Sequence, residues 1–188
     1  ASIAFDARYL ALPVRRDEPT SWQQPLLAVP SCSDPEFRES VTTPRLVAAL
    51  QQLLGDGAWQ RPAAAGPFIV RFPSQSDPGD TGWYADGHFE RTAALVAVAR
   101  DGRVLSLLSL YTDVAANDAP VRLVRGSHLV QGAPAAIAAA SSPSDVVPAV
   151  GRAGDVYLCH PAVVHASSFP QRGNRPRVMA QQALLGLA

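Results

Sequence analysis

The stretch GDVYLCHPAVVHASSFPQRGNRPRVMAQQALL, residues 154–185, contains two apolar segments separated by a loop rich in turn-forming residues. Residues 155–160 and 177–185 have the length and the apolar composition of β-strands, and the first is expected to run on towards His165. Two prolines, a glycine and an asparagine lie between them, in SFPQRGNRP, so the chain is expected to reverse direction there. This alternation of strand and turn predicts a mainly β protein.

Short strands separated by turns are predicted along most of the chain. The turn sequences DPGD, RDGR, NDAP and GRAGD separate apolar segments. The further predicted strands are residues 67–72, 82–90, 104–114 and 121–126. The alanine-rich piece 134–140 is expected to form a helix inserted between strands. Many short strands with few helices predict an antiparallel double sheet or barrel, and we expect a jelly roll with a leading α-helix.

One helix is well marked at both ends. Thr43 can serve as its N-cap, Pro44 as its first turn, RLVAALQQLL as its amphipathic body and Gly55 as its end. The proline-rich, polar sequence before it predicts irregular structure. The expected organisation is one domain over residues 1–188, with an irregular segment 1–43, a helix 44–55 and a barrel 66–188.

Composition and charge favour a small-molecule protein over a nucleic-acid or membrane protein. The 188 residues carry 16 basic and 16 acidic side chains, every basic one is arginine, and the arginines are scattered. Cys32 and Cys159 are far apart, which suggests a reducing compartment. No signal-peptide pattern and no run of about 20 apolar residues occurs. We therefore expect a soluble, cytoplasmic protein with a small-molecule substrate; the oligomeric state is not predictable.

The stretch GWYADGHFE, residues 82–90, places potential metal ligands on one face of a strand. Residues two apart point the same way in a strand, so Tyr84, Asp86 and His88 are expected to share a face. Two ligands at that spacing can bind one metal ion. The usual pairing is His-x-Asp, whereas here a tyrosine stands first and a histidine follows, so a working, a rearranged and a lost metal site all stay open.

A second group of polar side chains is expected around the turn in 154–185. If the hairpin is centred on Gln171, Arg177 lies directly across from His165, and Ser167 shares the face of His165. The five donors of arginine form a rigid fork that suits a carboxylate. A metal ligand beside such a fork would suit a small diacid that chelates a metal at one end.

Three motifs together resemble the phytanoyl-CoA dioxygenase family of iron(II)- and 2-oxoglutarate-dependent oxygenases: GWYADGHF, SLYTDVAANDAPVRLVRGSH and GDVYLCHPAVVHASS followed by RPR. The resemblance spans about residues 66–185. It implies a double-stranded β-helix, with iron held by two histidines and a carboxylate. It also implies that Asp86 is the carboxylate ligand and His165 the distal histidine. Arg177 would then bind the far carboxylate of 2-oxoglutarate, with Ser167 assisting.

The first histidine of the family falls on Tyr84, and three interpretations stay open. His88 can supply the missing nitrogen, the Tyr84 phenolate can be a ligand, or Tyr84 can fill the space in a protein with altered or lost metal chemistry. The expected function is an oxygenase that uses Fe(II) and 2-oxoglutarate on a small organic metabolite. The alternative is a metal-deficient member that serves as a binding protein or a non-redox isomerase or cyclase, in which Tyr84 can donate a proton.

Overall fold

The computed structural model describes residues 26–86 and 104–186, except for the side chain of Leu185. Eight antiparallel strands lie in these ranges. In chain order they are β1 Leu26–Val29, β2 Phe68–Arg71, β3 Val104–Leu110, β4 Arg122–Val124, β5 Val146–Pro148, β6 Val156–Cys159, β7 His165–Ala166 and β8 Arg177–Leu185. They form a five-stranded sheet in the order β1-β2-β8-β3-β6 and a three-stranded sheet in the order β5-β4-β7. The predicted mainly β, double-sheet architecture is confirmed.

Within the same ranges, three α-helices accompany the strands: α1 Pro35–Ser40, α2 Pro44–Leu54 and α3 Pro134–Ala140. The Thr43 hydroxyl accepts a hydrogen bond from the Leu46 backbone N–H at 3.4 Å, as expected for an N-cap. Helix α2 ends before Gly55, whose φ of 94° favours glycine. No helix within the described residues is long and apolar enough to cross a membrane.

Helix α2 covers the outer face of the five-stranded sheet. Leu46 and Leu50 on its buried side pack with Trp59 and with Leu107 and Leu184 of the sheet. Burial of such leucine side chains stabilises the fold by about 1.5–3 kcal/mol each. Alternate residues of a strand point to opposite faces, so the residues of β3 and β8 next to Leu107 and Leu184 point to the opposite, inner face.

The inner face of β8 points into the space between the two sheets. Met179 pairs with Leu110, and both pack with Val121 and Ala149, which lie on the side of the three-stranded sheet. Strand alternation then places Arg177 and Gln181 on the same inner face as Met179. Strand β8 therefore carries an arginine and an amide into the interior.

Most predicted elements are observed, with shorter boundaries. The predicted strands 67–72, 104–114, 121–126, 155–160 and 177–185 correspond to β2, β3, β4, β6 and β8, and the helices 44–55 and 134–140 correspond to α2 and α3. The irregular character predicted for 1–43 is wrong for β1 and α1, because β1 pairs along its whole length with β2. Residues 1–25 lie outside the described residues, and the assignment of 1–188 to one domain stays a prediction.

The predicted strand 82–90 is observed only as an isolated bridge at Tyr84, and its residues from 87 onwards lie outside the described residues. The predicted hairpin is wrong. Strand β7 pairs with β4, whereas β8 pairs with β2 and β3, so His165 and Arg177 belong to different sheets. The loop between them does not reverse within one sheet. Gln171 bridges Ser74, and its side chain holds the Arg175 carbonyl, so the chain crosses from one sheet to the other.

Candidate functional site

Asp86 and His165 meet between the sheets because Tyr84 extends the three-stranded sheet. The backbones of Tyr84 and His165 exchange hydrogen bonds of 2.9 and 2.8 Å, and the Asp86 N–H donates to the Pro161 carbonyl at 2.9 Å. These bonds bring Asp86 Oδ1 to 3.5 Å from His165 Nε2. The two predicted metal ligands are therefore neighbours in space, although 79 residues of sequence separate them.

The hydrogen bonds of His165 define which ring nitrogen is available. Its Nδ1 lies 2.8 Å from the Val163 carbonyl oxygen, which can only accept, so Nδ1 carries the hydrogen. Nε2 is the ring nitrogen that faces Asp86. Neutral imidazole with a backbone carbonyl behind its other nitrogen is the usual arrangement of a metal-binding histidine.

Gln181 is the third polar side chain of this group, and the sequence analysis missed it. Its Nε2 donates to Asp86 Oδ1 at 2.9 Å and lies 3.2 Å from His165 Nε2. Strand alternation from Arg177 was the signal that could have found it, because Gln181 is a polar residue four positions on and therefore on the same inward face. We call Asp86, His165 and Gln181 the polar triangle.

Two members of the polar triangle fit a divalent metal ion. Carboxylate oxygen and imidazole nitrogen are common ligands of iron and other transition metals. Adjacent ligands about 2.1 Å from an ion and at right angles to each other lie about 3.0 Å apart, close to the observed Asp86–His165 separation. Within residues 26–86 and 104–186, no group of three His, Cys, Asp or Glu side chains is placed to hold a metal. The predicted ligand His88 lies outside these ranges.

Tyr84 lies next to His165 of the polar triangle and also interacts with Arg177. Its ring contacts the imidazole of His165 edge-to-face, with the ring centroids 4.1 Å apart. It also interacts electrostatically with Arg177. The predicted shared face of Tyr84 and Asp86 is confirmed, since both side chains contact His165.

Arg177 is a buried cation that forms no salt bridge within the described residues, although the charges of Asp80 and Asp118 act on it at longer range. Its side chain is 2% exposed, it donates to the Ala119 carbonyl, and its Nε has no hydrogen-bond partner. Directly across the sheet, Arg71 is equally buried but forms a salt bridge with Asp80. Burial, and then the neighbouring charge of Arg71, lower the pKa of Arg177 to about 9. A charge held this way favours an anionic ligand.

Ser167 and Cys159 lie near the site in different ways. Ser167 is buried, and its backbone carbonyl accepts a hydrogen bond from Arg122 at 3.0 Å. That bond does not involve the Ser167 hydroxyl, and the predicted help of Ser167 to Arg177 stays a prediction. Burial, and then the negative charge of Asp86, raise the pKa of the Cys159 thiol to about 11. Cys159 is thus a neutral thiol near the carboxylate and not an activated nucleophile.

The sequence matches the model of one protein family over most of its length. The family is described as phytanoyl-CoA dioxygenase (PhyH), and the match covers residues 16–179. The chain belongs to this family. Asp86, His165 and Arg177 all fall inside the matched range. No curated protein sequence matches the chain closely enough to count as a relative.

Several solved structures share the fold of this phytanoyl-CoA dioxygenase family member. The α-ketoglutarate-dependent epimerase SnoN from nogalamycin biosynthesis has a TM-score of 0.55 at 20% identity, over 85% of this chain and 60% of SnoN. EctD from S. alaskensis, solved with 2-oxoglutarate and 5-hydroxyectoine, has a TM-score of 0.56 at 19% identity, over 79% of this chain and 51% of EctD. The non-haem monooxygenase ThoJ, in complex with nickel, has a TM-score of 0.53 at 20% identity, over 76% of this chain and 50% of ThoJ.

These similarities confirm the predicted jelly-roll fold. SnoN has also been solved with Fe3+ and α-ketoglutarate, so the structural neighbours include proteins that bind iron and this cosubstrate. The chain spans about half the length of the solved structures that it resembles. Their substrates and reactions therefore describe those proteins alone.

Proposed function

We propose that this chain is a non-haem iron(II)- and 2-oxoglutarate-dependent oxygenase that acts on a small organic metabolite. The observation that carries the proposal is the buried Arg177, a cation between the sheets that forms no salt bridge within the described residues. Family membership supports the same reaction class. No nucleic-acid partner is proposed, because the arginines are scattered along the chain.

Arg177 is suited to bind the distal carboxylate of 2-oxoglutarate. A buried guanidinium without an anion is costly, and a carboxylate that enters with its own charge offsets that cost. Arg71 is not available for this role because Asp80 already neutralises it. The Nε atoms of both arginines have no hydrogen-bond partner, but Arg71 has the salt bridge to Asp80, so the Nε of Arg177 is the donor left for a ligand. In this proposal Arg71 has a structural role, and Arg177 binds the ligand.

Asp86 and His165 would hold the iron, which when bound supplies the chemistry of oxygen activation. The Val163 carbonyl fixes the imidazole so that Nε2 faces the metal position. Without the ion, Gln181 orients the Asp86 carboxylate by its hydrogen bond. In this proposal Tyr84 stands where the family has its first metal histidine. Its ring lies against His165 and excludes water from that face of the imidazole.

An anaerobic titration tests this proposal. Addition of iron(II) and 2-oxoglutarate to the protein should produce the weak visible charge-transfer band of the chelate, and exposure to air should yield succinate. Arg177→Met should lose the band at the same ligand concentration, whereas Arg172→Met, in the loop before β8, should keep it. No band and no succinate from the unaltered chain would contradict an oxygenase.

A second function is favoured by the hydrogen bond of Gln181. Its NH2 group lies against both Asp86 Oδ1 and His165 Nε2, so the two acceptors have a donor without any metal. That arrangement suits a metal-deficient member that binds a carboxylate ligand or acts as a non-redox isomerase or cyclase. Calorimetric titration separates the two functions, because this member would bind 2-oxoglutarate or another diacid equally well with and without iron(II).

A further inference from the structure

We propose that Gln181 is the third metal ligand of this site, through its side-chain carbonyl oxygen, in place of the histidine that Tyr84 replaces. The inference rests on the proposed metal site of Asp86 and His165. The third metal ligand would then come from β8, a strand to which the sequence motifs assign only Arg177, as a ligand of the cosubstrate. The ligand set would be one carboxylate, one imidazole and one amide oxygen, all suited to a divalent transition metal.

The dimensions of the polar triangle carry this inference. Its edges are 3.5 Å between Asp86 Oδ1 and His165 Nε2, 2.9 Å between Asp86 Oδ1 and Gln181 Nε2, and 3.2 Å between Gln181 Nε2 and His165 Nε2. Three ligands on one face of an octahedral ion, each about 2.1 Å from it, lie about 3.0 Å from one another. The three atoms therefore already have the spacing of a facial set of ligands, which leaves the opposite face for other ligands.

Rotation about the last side-chain bond of Gln181 is enough to bring its carbonyl oxygen to the position that its nitrogen now occupies. The terminal torsion of glutamine has a broad, roughly two-fold preference, so the nitrogen and the oxygen can exchange places with little movement of the chain. Without a cation, the NH2 group is the favoured end, because Asp86 Oδ1 and His165 Nε2 are both acceptors. A cation reverses that preference, since it attracts the carbonyl oxygen together with the carboxylate and the imidazole.

The other two ligand hypotheses account less well for the described contacts. Tyr84 packs its ring against His165 and interacts with Arg177, a cation outside the polar triangle. Phenol must also lose its proton at a reference pKa near 10 before it can bind a metal, whereas the amide oxygen of Gln181 loses none. His88 lies outside the described residues and is therefore included in the test.

Binding of cobalt(II), measured by calorimetry and by the visible spectrum of the bound ion, tests the assignment without turnover. Gln181→Ala and Gln181→Met should each weaken cobalt(II) binding by at least about tenfold. Removal of a residue next to a bound metal commonly lowers the metal affinity by about that much. Gln181→Glu should bind cobalt(II) more tightly than the unaltered chain, because it supplies a charged oxygen at the same place. Gln182→Ala is the matched control: it removes the same side chain from the opposite face of β8 and should leave the affinity unchanged.

Several results would overturn the assignment. Unchanged or tighter cobalt(II) binding by Gln181→Met would mean that the amide is no ligand, and tighter binding would mean that its NH2 competes with the metal. A tenfold loss in Tyr84→Phe or His88→Ala, with none in Gln181→Met, would move the third ligand to that residue while the oxygenase proposal survives. An unaltered chain that binds no cobalt(II) would overturn the metal site itself, and with it both proposals.

Discussion

The two buried arginines of β2 and β8 are expected to respond to the same substitution in opposite ways. Arg71 and Arg177 face each other across the sheet and are both 2% exposed, but Arg71 alone has a carboxylate, that of Asp80. Arg71→Met would leave Asp80 buried without its cation, which costs about 3–5 kcal/mol. Arg177→Met would remove a buried cation that no described carboxylate neutralises.

The magnitude for Arg177 follows from its pKa, which burial lowers from the usual value of arginine to about 9. At 1.36 kcal/mol per pKa unit, the charged guanidinium is disfavoured in the folded protein by on the order of 5 kcal/mol. Because the folded pKa lies below the unfolded one, this cost is fully present below pH 9 and fades as the pH rises above 9. The Ala119 carbonyl would lose its donor in Arg177→Met, which costs about 1–3 kcal/mol. The net expectation is a gain of about 2 kcal/mol at neutral pH.

Thermal unfolding without ligand and with saturating 2-oxoglutarate measures these effects. For a chain of this size 1 kcal/mol corresponds to about 2–4 °C, so Arg177→Met should raise the Tm by at least about 4 °C and Arg71→Met should lower it by at least about 6 °C. A ligand at 100 times its Kd adds about 2.7 kcal/mol to the unaltered chain and nothing to Arg177→Met. If Arg177→Met lowered the Tm as much as Arg71→Met does, Arg177 would be a structural arginine and the proposed ligand role would be wrong.

Three further predictions concern the cosubstrate, the metal and the fold. The affinity for 2-oxoglutarate should fall about tenfold per pH unit above pH 9, where Arg177 loses its proton, and an affinity that stays constant to pH 10.5 in a calorimetric titration would contradict this. Tyr84→His should tighten iron(II) binding and increase succinate formation, because it restores an imidazole beside His165; unchanged iron(II) affinity would show that Tyr84 does not stand at the metal position. Leu50→Ala should lower the free energy of unfolding by about 2–5 kcal/mol in a denaturant titration, since Leu50 is fully buried on the inner side of α2, whereas Leu53→Ala, on the exposed side, should change it by less than about 1 kcal/mol.

Local sequence signals predicted the elements of this fold well. The N-cap at Thr43 and the glycine at the end of α2 are defined by neighbours within a few residues, and the bounds of α3 and β8 were predicted to the residue. Each of these features depends on backbone geometry and side-chain periodicity that one segment contains. The helix and the long strands could therefore be predicted without knowledge of the rest of the chain.

Strand pairing could not be predicted in the same way. A turn-rich loop after His165 is compatible with a hairpin and with a crossing between sheets. The choice depends on Ser74 and Asn117, because their backbones form hydrogen bonds with the loop. Because β8 enters the other sheet, Gln181 and not Arg177 reaches His165. A single sequence does not contain the register that decides this, since the pairing partners lie roughly 40 to 110 residues away.

Strand β8 links the two ends of the proposed site by one rigid element. Arg177 and Gln181 are four residues apart on its inner face, which separates their Cα atoms by about 13 Å at about 3.3 Å per residue. Met179 lies between them and is buried in the core, so the distance is fixed by a strand that pairs on both sides with β2 and β3. A shift of β8 by one residue would turn both polar side chains towards α2 and bring Gln182 inwards. The register of this one strand therefore determines whether the carboxylate-binding arginine and the polar triangle can act on the same ligand.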